Sequence, residues 1–130
     1  MIERKKLVQV EFVARALMAL ILLTAGTSKF FSEGGFKDYY AGLFSNPSLR
    51  INVPDWMISL YLSGIPFIEV GLGLCLLLSR LKPYTVYAWY AFMASLLVGH
   101  YILQEWSAVN QMLAYFFLGM VCHLLPSREH

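Results

Sequence analysis

The residue that contrasts most with its surroundings is Glu69, which lies in the middle of the apolar run 56–78. A carboxylate inside an apolar segment of membrane-spanning length is costly, and such residues usually face a bundle interior or a water-filled cavity. Unpaired, Glu69 would favour its neutral form, which carries a proton or donates to a quinone-like carbonyl. Paired with a cation, it would stay ionised and mainly fix the register of the helices.

Two basic residues of the first apolar segment are candidate partners for Glu69. Counted along each span from its cytoplasmic end, Arg15 lies about 10 Å deep, Glu69 about 14 Å and Lys29 about 31 Å. These depths favour an ion pair between Arg15 and Glu69. Lys29 is the less favoured partner, because a lysine near a membrane surface can extend its ammonium group to the headgroups.

A second polar layer lies nearer the outer side. His100 comes about 24 Å from the cytoplasmic end of its span, and Asn110 and Gln111 come at about 22 Å. A single histidine near a helix end is also consistent with a packing role, so the structural and functional interpretations both stay open. The candidate polar pocket consists of Glu69, Arg15, Lys29, His100, Asn110 and Gln111, and the aromatic residues expected to pack a bound ring are Phe30, Phe67 and Trp106.

Composition indicates a membrane protein. The 130 residues are 58% hydrophobic and 14% charged, whereas soluble domains carry about 25% charged residues. A soluble four-helix domain is the alternative, but its helices would show a polar stripe. Short connections favour antiparallel neighbours, so we predict an all-α membrane protein, a single domain over 1–130. It is an antiparallel bundle of four transmembrane helices over about 8–31, 56–78, 84–103 and 107–125.

The longest connection, between the first and second spans, has aromatic residues at helical spacing. We predict a short amphipathic helix there, which lies at the membrane interface or folds over the bundle. Its apolar face is the candidate partner-binding surface, formed by Phe36, Tyr39, Tyr40 and Phe44.

Basic residues near the helix ends predict the orientation. Lys and Arg collect on the cytoplasmic side of membrane proteins, and here they cluster at 4–6, 80–82 and 128. We therefore expect both termini in the cytoplasm, with the chain in a bacterial-type inner or plasma membrane. This flanking bias explains the net charge of +2 and gives no reason to expect nucleic acid binding.

The remaining motifs argue against a signal peptide, a disulfide and a metal site. Glu11 and Arg15 interrupt the first apolar run, which favours a retained helix over a signal peptide. Cys75 and Cys122 lie near cytoplasmic ends, where free thiols are expected, and no metal-ligand spacing is present.

The pattern Arg15…Gly26-x-x-Lys29-Phe30-Phe31, followed by an aromatic loop and Pro66-Phe67-x-Glu69-x-x-x-Gly73-Leu74, resembles the DoxX-like superfamily of small four-helix membrane proteins, including the MauE branch. His100 also fits the DoxX pattern. The resemblance implies an association with thiosulfate:quinone oxidoreductase, with maturation of a disulfide-rich periplasmic enzyme subunit, or with receptor assembly.

Two functions follow from the residues and the resemblance together. The first is a DoxX-like integral membrane subunit of a redox-associated complex, with a quinone as the candidate ligand, so that any enzymatic role is that of an accessory or quinone-binding subunit. The alternative is a non-enzymatic assembly factor, chaperone or scaffold. Both imply a lipid bilayer and a protein partner or homo-oligomer. A small transporter is a weaker third idea.

Overall fold

The computed structural model describes residues 3–31 and 35–128, and these ranges contain helices and no strand. Within these ranges the five α-helices are α1 (Arg4–Phe31), α2 (Gly35–Phe44), α3 (Asp55–Leu76), α4 (Lys82–Ile102) and α5 (Trp106–Leu124). A short 3-10 turn, Ser79–Leu81, joins α3 to α4.

The long helices cover the four apolar stretches of the sequence. α1 begins four residues before the predicted start at 8, because lysine and arginine are good helix formers and extend the helix past the apolar run. Within the described residues, α1, α3 and α5 are long and apolar enough to cross a membrane. α4 has 21 residues but is richer in tyrosine and tryptophan, which lowers its hydropathy.

The long helices contact one another in a ring. α1 packs against α3 and α5, and α4 also packs against α3 and α5. Glycines allow the closest approach between α1 and α3: a Cβ on Gly26 would meet Glu69 and Val70, and one on Gly73 would meet Leu23. These contacts run in opposite directions along the two helices, so α1 and α3 are antiparallel, with small residues at the interface as in membrane helix pairs.

The pair α4 and α5 is built around one tryptophan. Trp89 is fully buried, and its indole N–H donates to the carbonyl of Tyr115 at 3.0 Å. Gly119 faces this ring, where a Cβ would approach the indole to 2.7 Å. The α4–α5 interface therefore depends on a bulky residue on one helix and a missing side chain on the other.

The outward surfaces of the long helices are apolar. Large side chains are exposed on each of them, including Phe12, Leu20, Leu60, Tyr87 and Phe117. Extended exposed apolar surface is typical of a membrane-facing protein. Charged residues, in contrast, are found among the buried groups between the helices.

α2 packs against α3. Phe36 and Tyr40 pack against the core and Phe44 is buried, whereas Tyr39 is exposed. α2 thus covers one end of the ring of long helices. The opposite end of the ring carries the first and last residues of the described chain. We call the end covered by α2 the α2 end and the opposite one the terminal end.

Candidate functional site

Glu69 pairs with Lys29, not with Arg15. The Lys29 ammonium group lies 2.6 Å from the Glu69 carboxylate, and Glu69 is only 3% exposed. The prediction of an Arg15–Glu69 pair is wrong because it compared depths of backbone positions. Helical side chains point back toward the N-terminus of their helix, so the long lysine chain reaches back along α1 past Gly26, the residue that faces Glu69.

A cavity of about 230 Å³ adjoins this ion pair. We call it the Glu69 cavity. Four helices line it, because α1 and α3 supply the ion pair while α2 and α4 supply most of the other walls. Its lining is largely apolar and aromatic with a few polar groups, which is typical of small-molecule sites, and consists of Lys29, Phe36, Tyr40, Phe44, Tyr61, Leu62, Ile65, Glu69, Leu96, Gly99, His100 and Leu103.

Three further polar groups stand on the walls of the Glu69 cavity. The Tyr61 hydroxyl is hydrogen-bonded to the Ser95 hydroxyl at 3.0 Å. His100 Nδ1 lies 2.9 Å from a carboxylate oxygen of Glu105. Burial, and next the Glu105 carboxylate, raise the pKa of the Tyr40 phenol, so that this group is held neutral.

The other members of the predicted pocket lie elsewhere. Asn110 and Gln111 are exposed on α5, and Arg15 is buried near the terminal end. Lys29, Glu69 and His100 are the predicted pocket residues that line the Glu69 cavity. Depth alone placed His100, Asn110 and Gln111 at similar heights, but it could not tell which face of each helix they occupy.

The predicted ring-packing residues also lie outside the cavity. Phe30 and Phe67 pack edge to face on each other at 5.0 Å, and Trp106 packs on Tyr101 at 5.5 Å. Each of the three predicted residues is about half exposed or more. The aromatic wall comes instead from α2, through Phe36, Tyr40 and Phe44, which were predicted to bind a partner.

A second buried polar cluster lies near the terminal end. We call it the Glu11 cluster; it consists of Glu11, Arg15, Lys82 and Cys122. Glu11 Oε1 lies 2.7 Å from Arg15 Nε, 3.8 Å from Lys82 Nζ and 3.9 Å from Cys122 Sγ. Sequence reasoning missed this cluster, although the i,i+4 spacing of Glu11 and Arg15 is typical of a helical ion pair.

The Glu11 cluster joins three helices through backbone carbonyls as well. Arg15 Nη1 donates to the carbonyl of Leu76 at 2.7 Å, at the end of α3. Lys82 donates to the carbonyl of Leu125, just after α5. Glu11 is fully buried. The arrangement therefore fastens the helix ends together.

The cysteines are not part of the Glu69 cavity. Cys75 is exposed and Cys122 is buried in the Glu11 cluster, and both are free thiols. Across residues 3–31 and 35–128, no group of three or more His, Cys, Asp or Glu side chains is arranged to hold a metal ion.

An all-helical chain with three apolar helices of membrane-spanning length and buried charges between them is an integral membrane protein. Residues 6–112 match the family model described as methylamine utilisation protein MauE, and the chain belongs to this family. The match agrees with the resemblance drawn from the sequence motifs. Comparisons with curated proteins and with solved structures give no significant match.

Proposed function

We propose that this protein is an integral membrane subunit of a redox-associated complex, and that its Glu69 cavity binds the headgroup of a membrane quinone. The observation that carries the proposal is the ion pair between Lys29 and the buried Glu69, beside a cavity with aromatic walls. The family description suggests that the complex serves methylamine utilisation.

The cavity chemistry suits both forms of a quinone. The oxidised ring has carbonyl oxygens that need donors, and Lys29 and the Tyr61 hydroxyl can supply them. The reduced ring has hydroxyl groups that need an acceptor, and the Glu69 carboxylate can serve. Phe36 and Phe44 offer apolar faces to a planar ring. Electrons would come from a protein partner, because neither Cys75 nor Cys122 lines the cavity.

The membrane arrangement that fits this role has four spanning helices. α4 contributes 21 residues, a length of about 31 Å that matches the hydrocarbon core. Basic residues at 4–6, 80–82 and 128 belong to the terminal end, so both termini would lie in the cytoplasm. α2 would then lie at the outer surface of an inner or plasma membrane and close the Glu69 cavity on that side.

The alternative role, a non-enzymatic assembly factor, receives less support. That role assigns partner binding to the aromatic face of α2. Phe36, Tyr40 and Phe44 line the Glu69 cavity instead, which leaves Tyr39 as the exposed member of that set.

The test measures binding of a short-chain ubiquinone to the purified full-length protein in detergent micelles, with isothermal titration calorimetry as the readout. We expect saturable binding that is lost in Glu69→Gln and Lys29→Met. Gln111→Leu is the matched control, because Gln111 is an exposed polar residue outside the cavity. Absence of saturable binding to the native protein, or equal binding by all variants, would contradict the proposal.

A further inference from the structure

The terminal end carries an open groove that is separate from the Glu69 cavity. It runs between the start of α1, the turn after α3 and the chain after α5, and consists of two adjoining recesses that share Val8, Gln9 and Arg128. The deeper recess measures about 540 Å³. We call the whole feature the basic groove.

The basic groove has two chemically distinct parts. Its rim carries the cations of Arg4, Lys5 and Arg128. Its wall is mainly apolar where it is exposed, with Phe12 60% exposed and Val13 54% exposed. A cationic rim directly above an exposed apolar wall matches a molecule with an anionic head and a hydrocarbon tail.

The spacing of the two parts fits the depth of a lipid leaflet. Arg4 and Phe12 are eight residues apart on α1, a rise of about 12 Å. The headgroup layer on each side of a bilayer is about 5–8 Å thick. With the rim at headgroup level, the wall therefore lies beside the acyl chains.

The charge balance favours an anionic head. Glu11 and Arg15 also line the deeper recess, but Glu11 is fully buried and its Oε1 already faces Arg15 and Lys82. Its nearest cations are therefore those of the Glu11 cluster and not those of the rim. Basic pockets between transmembrane helices are known binding sites for anionic lipid headgroups.

We propose that the basic groove binds one anionic phospholipid, with its phosphate at the rim and an acyl chain along the wall. This site is independent of the Glu69 cavity and of any quinone. Its role is to anchor the start of α1 and the end of the chain to the same lipid.

Native mass spectrometry of the full-length protein tests this site. The protein is titrated with phosphatidylglycerol and, separately, with phosphatidylcholine of the same acyl chains. We expect one phosphatidylglycerol to bind more tightly than phosphatidylcholine. Since a basic residue near the membrane surface contributes a factor of about five to anionic lipid affinity, Lys5→Gln and Arg128→Gln should each weaken phosphatidylglycerol binding about fivefold.

Lys6→Gln is the matched control. Lys6 is the next residue along α1 and has the same charge and exposure, but it does not line the groove. Phosphatidylglycerol binding should be unchanged in Lys6→Gln. Equal affinity for the two lipids would overturn the proposal. It would also be overturned if Lys6→Gln weakened binding as much as Lys5→Gln, because that result would indicate general surface attraction without a defined groove.

Discussion

The Lys29–Glu69 pair and the Glu11 cluster use the same kinds of residue at opposite ends of the molecule, yet their surroundings differ. Glu69 adjoins a cavity, and the side chain of its partner Lys29 is 20% exposed. The Glu11 side chain is fully buried, and the Arg15 side chain beside it is 6% exposed. The first pair lies in the wall of the Glu69 cavity, whereas the second borders the open basic groove and is bonded to helix-end carbonyls.

This difference separates two reasons for placing charge between membrane helices. In the Glu11 cluster, the charges bind to one another and to the carbonyls of Leu76 and Leu125, so the ends of the helices are held together. In the Glu69 cavity, one carboxylate and one ammonium group face aromatic walls. Both groups of charges border free volume, so neither a buried charge nor the space beside it is enough to identify a binding site. The bonds to the carbonyls of Leu76 and Leu125 are what distinguish the Glu11 cluster as structural.

The largest expected effect is on the Glu11 cluster. Arg15→Met leaves the Glu11 carboxylate without its closest cation, and loss of one partner of a buried pair costs about 3–5 kcal/mol. We expect this loss in the free energy of unfolding, measured by circular dichroism during denaturation in mixed micelles. Quinone binding by the fraction that stays folded should be unchanged. Lys6→Met, at an exposed position on the same helix, is the control and should unfold like the native protein.

Lys29→Met should have a smaller effect on stability and a larger one on ligand binding. Glu69 loses its hydrogen-bonded partner, a cost of about 1–3 kcal/mol for a buried group, and water in the adjoining cavity can offset part of it. The same denaturation experiment measures the change, alongside quinone titration. If Lys29→Met unfolded the protein as readily as Arg15→Met, both clusters would be structural and the comparison would fail.

Gly26→Ala tests how closely α1 must approach α3 at the Glu69 cavity. The new Cβ would lie 3.0 Å from Glu69 Cβ and 3.1 Å from the carbonyl of Pro66, and such overpacking costs about 1–3 kcal/mol. We expect lower stability together with weaker quinone binding, because the Glu69 carboxylate shifts. Gly71→Ala is the control, since nothing lies within 4 Å of its added Cβ. Equal behaviour of the two variants would mean that the close approach is not required.

The sequence predicted the helices well, because their signal is local. Long apolar runs mark α1, α3 and α5, and aromatic spacing indicates a helix at α2. The lining of the cavity is harder to predict from the sequence, because it depends on the rotation of each helix about its axis. Glu69 and His100 were recognised as polar residues at unusual depth, but Asn110 lies on an exposed face. The spacing of Phe36 and Phe44 predicts that they share one face of a helix. It does not predict whether that face points toward the long helices or away from them.

The pairing of Glu69 shows the same limit at the level of one side chain. Depth counted along the backbone favoured Arg15, because it ignores the reach of a lysine and the register set by Gly26 and Gly73. The i,i+4 spacing of Glu11 and Arg15 was the local signal that would have given Arg15 a partner on its own helix. Assigning that pair first would have left Lys29 as the remaining cation of the first apolar segment, 8–31, for Glu69.

The smallest expected effect is a pH dependence that arises at the α2 end. The pKa of Tyr40 is raised in the folded protein above its ordinary value of 10.0, chiefly by burial. A raised folded-state pKa gives stability that is fully present below the unfolded value and is lost as pH rises through the folded one. When unfolding is measured at a series of pH values between about 9 and 11, the unfolding midpoint should therefore fall with pH less steeply in Tyr40→Phe than in the native protein. Tyr39→Phe, at the exposed neighbour, should keep the native slope. A native slope in Tyr40→Phe would mean that alkaline sensitivity arises outside the cavity wall, and that α2 is not held there by a neutral phenol.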